Sequence, residues 1–237
     1  MKRVINILLV LCFICLFVST SYSIYRHVSI KKEIEIITIQ SDTNKTIPED
    51  NMIIRLREEY QNEDIVMRIV IDSLDIDSVI VRGSDNSYYL NHDLNKKKSV
   101  LGSIFMDYRN DIHDSKINIY GHNSRTYDVP FRKLEKYMDQ SFYQDNSTFI
   151  IYDMEGKHEY EIFTIYSVKK NNNNHMQVSF SSADELLEYM NHLKQESMYD
   201  TGIDLDVNDK YLLLQTCLYD KKIGDYLIIV AKEIKSV

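Results

Sequence analysis

The chain has 237 residues, 44% of them hydrophobic and 27% charged, with two prolines and six glycines. That excludes disordered, collagen-like and Pro-rich architectures and leaves room, beyond the first two dozen residues, for one well-cored domain with an appendage. Residues 1–26 hold three basic groups and no acidic one, so 25 of the 28 basic residues face all 36 acidic ones in the remainder, and a nucleic-acid partner is not expected of so acidic a body.

Lys2-Arg3 precedes fifteen uncharged residues, Val4 to Val18, and a weakly polar tail up to Arg26. This reads as a membrane anchor over 4–25, with 1–3 as a cytoplasmic tail and the bulk of the chain outside the cell. A cleaved signal peptide, with Ser21 and Ser23 as the small residues of its cleavage site, is the alternative. Residues 26–62 carry apolar groups at loosely helical spacing (Ile30, Ile34, Ile37, then Met52, Ile53, Leu56, Tyr60), interrupted from Ser41 to Asp50, and read as a helical stalk.

From Ile65 the pattern turns to short strand-like runs rich in Ile, Val, Tyr and Leu: Met67–Ile71, Ser78–Val81, Lys116–Tyr120, Thr148–Tyr152, Tyr160–Val168, Tyr211–Cys217 and Tyr226–Ile234. Asp153 to Gly156 reads as a hairpin turn. Helical period is kept over Phe131–Met138 and over Ser182–Lys194, where Leu186, Leu187, Met190 and Leu193 form one face and Ser181 or Ser182 supplies the cap. Many short strands with inserted helices predict a closed or nearly closed β-barrel over residues 63–237.

Cys217 closes the run Tyr211–Cys217 and is the one cysteine outside the N-terminal segment that holds Cys12 and Cys15. A lone thiol in an exported domain reads as a nucleophile, which needs an imidazole to support it and donors for the charge on the attacked carbonyl. Among seven histidines, His122 stands out because Ile117-Asn118-Ile119-Tyr120-Gly121-His122 is a strand ending in glycine, then histidine, with Gly121 expected to let the backbone turn. The other histidines show no metal-ligand spacing with cysteine or carboxylate, so neither a zinc site nor a cofactor is expected.

These residues bring a family into view. Gly83-Ser84-Asp85-Asn86 with Tyr88 to His92, Gly102 to Arg109, Ile119 to Asn123, Tyr160 to Phe163, Tyr199 to Gly202 and Thr216-Cys217 follow one another as in class B sortases, and from about Ile65 onward the chain resembles these cysteine transpeptidases of Gram-positive bacteria. The resemblance implies a mainly β fold, a sortase-like barrel of about eight strands with a helical N-terminal extension and a long helix between two late strands. It implies that Cys217 cleaves a C-terminal sorting signal after threonine through a thioacyl-enzyme, and that His122 serves as acid and base. The partners implied are secreted proteins bearing sorting signals and an amine of a peptidoglycan precursor or another protein. It also points to Asn91, Leu94 and Tyr199 along the substrate groove, and to Thr216 as a residue orienting the substrate carbonyl.

The family's third catalytic residue is an arginine eight positions after the cysteine, and Asp225 stands there. An ionised carboxylate donates no hydrogen bond and opposes a neighbouring thiolate. Three accounts follow: a cation from Lys221 or Lys222 in the preceding loop; Arg125 or Lys169 folding over the site; or a weak or inactive sortase-like peptide-binding protein. The family's usual tryptophan is also missing.

Overall fold

The computed structural model describes residues 12–28, 52–220 and 222–234. The chain divides into two units, Met1–Ile47 and Pro48–Val237. In the first, one helix, α1, covers residues 12–28. The expected single-pass membrane placement is not supported: among the described residues no helix is long and apolar enough to cross a membrane. From Ser19 onward α1 carries Ser19, Thr20, Ser21, Ser23, Arg26 and His27, which lowers its hydropathy. The rest of the anticipated anchor (4–11), the tail at 1–3 and the stalk residues 29–51 lie outside the described residues.

The second unit is built from eight strands: β1 Ile65–Ile71, β2 Ile76–Val81, β3 Ile104–Met106, β4 Lys116–Gly121, β5 Thr148–Tyr152, β6 Lys157–Val168, β7 Tyr211–Cys217 and β8 Tyr226–Glu233. They close into a barrel in the order β1-β2-β3-β4-β7-β8-β6-β5, as expected. Two pairs, β2–β3 and β4–β7, are parallel and the others antiparallel. Alternation assigns each residue to a face. Ile117, Ile119, Leu212, Leu214, Leu227, Ile229 and Ala231 point into the barrel's core. The outward positions of β6, β7 and β8 (Phe163, Tyr166, Tyr211, Leu213, Ile228, Val230) form a second cluster beneath α4, Ala183–Gln195, through Leu186, Met190 and Leu193. The side chain of Ser182 caps α4 by accepting the Glu185 N–H at 3.1 Å, and Asp184 and Glu185 favour its positive end.

Residues 130–138 form 3₁₀ turns, not the expected α-helix. The buried residues Phe131, Leu134 and Tyr137 recur every three positions, which suits three residues per turn. A short α3, Gln140–Asp145, follows, its start capped by Asp139. Helix α2, Met52–Tyr60, buries Met52, Ile53, Leu56 and Tyr60 and packs against β1. This end of the anticipated stalk is therefore part of the packed unit. Leu56 is fully buried, so Leu56→Ala is expected to lower stability by about 2–5 kcal/mol in chemical denaturation. A spacer would give no change.

Candidate active site

Parallel pairing of β4 with β7 runs in register from Lys116↔Tyr211 to Gly121↔Thr216. His122 follows the last residue of β4 and Cys217 ends β7, so the register carries two residues 95 positions apart in sequence to the same rim of the barrel. Cys217 has the parity of the outward face, with Leu213 and Gln215 on β7. Cys217 is exposed.

Several contacts fix this rim. Thr216 is buried, and its hydroxyl donates to the Gly121 carbonyl at 2.9 Å, so it staples the two strand ends together. Asn123 splits its amide donors between the Cys217 carbonyl, at 2.7 Å, and Glu135. Gly121 has no left-handed φ; a Cβ there would lie 2.4 Å from Phe131 Cδ2. Close packing, and not the expected turn, is its reason. The His122 ring turns Nε2 to the Leu90 carbonyl at 2.7 Å. Donation to a carbonyl places a proton on Nε2 and leaves Nδ1 to exchange protons.

The other anticipated residues scatter around this pair. Asn91 follows Leu90 and is exposed beside His122's carbonyl partner, while Leu94 is further along the same loop, its carbonyl accepting from Asn62 at 2.8 Å. Arg125 is brought to the loop after Cys217: its guanidinium lies 4.6 Å from the centre of the Tyr219 ring, and the Tyr219 hydroxyl accepts the Arg125 N–H and donates to the Asn123 carbonyl. Lys222 is exposed in the β7–β8 turn, where its N–H donates to Asp220; Lys221 lies outside the described residues. Lys169 is exposed at the end of β6. Tyr199 is not brought to the sulfur. It packs on Tyr143 and donates to the Tyr137 carbonyl, beside the middle of β6, where Met198 N–H meets the Ile165 carbonyl.

The carboxylate of Asp225 accepts the Lys170 N–H at 3.0 Å, and its carbonyl accepts the N–H of Leu218, a residue of the barrel core. The β8 residue directly opposite Cys217 is Tyr226. Sequence reading missed it because counting along a loop does not reveal where pairing resumes.

The segment after β6 is pinned to the same outward face. Lys116 Nζ donates to Asn118 Oδ1 at 2.6 Å and to the carbonyls of His175 and Gln177 at 3.0 and 2.6 Å, and Arg109 reaches the Met176 carbonyl. His175 is buried with Nε2 2.9 Å from Gln215 Oε1, two residues before Cys217. Burial pushes the Lys116 ammonium down to about 7. Burial opposes ionisation of Asp107 too, but its hydrogen bonds from Arg109 and Tyr120 prevail and hold it at about 2.

Among the described residues, Asp153, Glu155 and His158 place metal-capable atoms within 4.8 Å of one another. They lie at the β5–β6 turn, the opposite pole from Cys217, and His158 is already paired with Glu233 and Asp153 at 2.6 and 3.1 Å.

Residues 69–234 match the family model for the sortase domain. The chain is 32% identical to sortase B of Listeria monocytogenes over 162 residues, covering 68% of this chain and 65% of that protein. The crystal structure of Clostridium perfringens sortase B superposes with a TM-score of 0.72 at 34% identity, covering 77% of this chain and 99% of that one. A complex of Staphylococcus aureus sortase B with its substrate has the same fold, with a TM-score of 0.73 at 23% identity over 90% of this chain and 97% of that one. The chain belongs to the sortase family, and within it to class B.

Two outcomes follow from the geometry. Gly121→Ala drives a methyl group into Phe131 and is expected to cost about 1–3 kcal/mol in denaturant melts while slowing any reaction that needs His122. Lys116 loses its proton near pH 7 in the folded chain but near 10.5 when unfolded. Between these values the unfolded chain binds more protons, so this group's contribution to stability rises with pH. The stability difference between wild type and Lys116→Met should therefore move toward the wild type from about pH 7 to about pH 9. A flat difference in urea melts contradicts this.

Proposed function

We propose that residues 63–237 form a cysteine transpeptidase acting on C-terminal sorting signals. The observation that carries this reading is the β4–β7 register, which brings His122 and an exposed Cys217 to the same rim. The thiolate of Cys217 attacks the backbone carbonyl carbon after a threonine, forming a C–S bond while the carbonyl electron pair moves to oxygen. Collapse breaks the C–N bond. The departing amine takes a proton from His122, leaving a thioester. An amine of a cell-wall peptide or of another protein then attacks the thioester carbon, forming a new C–N bond; His122 accepts its proton, and collapse breaks the C–S bond and returns the Cys217 thiolate. The Leu90 carbonyl holds the imidazole by Nε2, so Nδ1 is the atom that gives and takes the proton.

Asn91 and Leu90, beside the imidazole, and Gln177 on the pinned segment after β6 border the surface where the peptide lies. Thr216 acts on substrate only indirectly, because its hydroxyl is committed to Gly121. A purely peptide-binding role drew its support from a carboxylate beside the sulfur, and the Asp225 carboxylate is engaged with Lys170 N–H.

With a fluorogenic sorting peptide, Cys217→Ala is expected to abolish cleavage and thioacyl formation. His122→Ala is expected to lower kcat by about 10²–10⁴-fold, the usual worth of a positioned acid and base. Cleavage retained by Cys217→Ala ends this reading.

A further inference from the structure

The class B resemblance leads one to expect an arginine beside the nucleophile, and the chain has none at the counted position. We propose that Tyr226 is a further catalytic residue, its phenolic O–H donating to the substrate carbonyl oxygen as negative charge develops there. The inference rests on the transpeptidase reading above.

Register is the first argument. Cys217 and Tyr226 are directly opposite in the antiparallel β7–β8 pair, so their side chains leave the same face with Cβ atoms about 4.5–5.5 Å apart. The second is the order of strands across the rim. Since β7 lies between β4 and β8, the sulfur has His122 on one flank and Tyr226 on the other. One flank supplies the proton-transfer group, and the opposite one is where a donor to the oxyanion belongs. The third is support. Tyr226 is half-buried against the outward cluster that includes Ile228 and Val168, and it is also paired with Val168 on β6, so a strand on either side fixes its backbone. Asp225, one residue earlier, is also held on both sides, its N–H on the Val168 carbonyl and its carbonyl on the Leu218 N–H, but it does not lie opposite Cys217. It faces Leu218 of the core across the ladder, and its carboxylate is taken by Lys170 N–H.

The chemistry balances without another group. When Cys217 sulfur bonds to the carbonyl carbon, the π electron pair moves to oxygen and the phenol strengthens its hydrogen bond to that oxygen, keeping its own proton. Collapse returns the pair to carbon and expels the amine, protonated by His122. A phenol is a neutral donor, so it stabilises the oxyanion less than a guanidinium at the same place.

The test measures steady-state cleavage of a fluorogenic sorting peptide by the full chain, with alkylation of Cys217 by iodoacetamide as a readout of folding and thiol reactivity that involves no carbonyl. Tyr226→Phe is expected to lower kcat about 10²-fold, with KM and the alkylation rate changed by less than about threefold. Tyr226→Arg is expected to restore turnover to within about tenfold of wild type or above it, and Asp225→Asn to leave kcat within about threefold. The inference is overturned if Tyr226→Phe keeps kcat within about twofold of wild type, or if its loss is matched by an equal loss of alkylation, which marks a packing role. Cleavage surviving in Cys217→Ala sinks the transpeptidase reading itself. An inactive Cys217→Ala beside a fully active Tyr226→Phe sinks only the role given to Tyr226.

Discussion

The structure depends on one parallel seam. β4 and β7 have no hairpin to align them, and their register is set by interior side chains: Ile117 and Ile119 from one, Leu212 and Leu214 from the other. A slip of one residue would turn every one of these outward. The rim contacts finish what the core begins. Gly121 admits the Phe131 ring, Thr216 bonds the glycine carbonyl, and Asn123 reaches across to the Cys217 carbonyl where the ladder stops. His122 and Cys217 reach the same rim because apolar packing several residues away fixes the register of the strands that carry them there.

The outward face shows a different economy. Helix α4 covers its apolar half, while its polar half, at Lys116, Asn118 and Gln215, is covered by the turn at residues 174–176. A buried ammonium is costly unless its protons are met. Here the three acceptors are Asn118 Oδ1 and the carbonyls of His175 and Gln177, so the need to satisfy Lys116 is also what holds the segment against the barrel. That segment begins where β6 ends, beside the strand carrying Tyr226.

Much of this was legible in the residues. The strands with alternating or continuous apolar runs were readable, as were α4 with its serine cap and the Asp153–Gly156 turn, where Gly156 adopts a φ of +130°. β3 was not, because three residues carry no period; only the family-like stretch around it marked the place. The 3₁₀ segment read as α because apolar residues three apart satisfy both spacings over two turns. Cys217 and His122 were found by their positions at strand ends. Position along a loop does not reveal where pairing resumes: only the hydrogen-bonded ladder shows that Tyr226, and not Asp225, lies directly opposite Cys217. Tyr199 was carried over from a motif, and the tertiary fold puts it against Tyr137 and Tyr143.

Between His122 and Cys217 the chain makes a long excursion through β5, β6 and α4 before β7 returns to lie beside β4. A pairing of such sequence separation carries a loop-closure cost that local contacts do not. Where that seam is open, Cys217 has no His122 near it, so any chemistry that needs both groups depends on this one pairing.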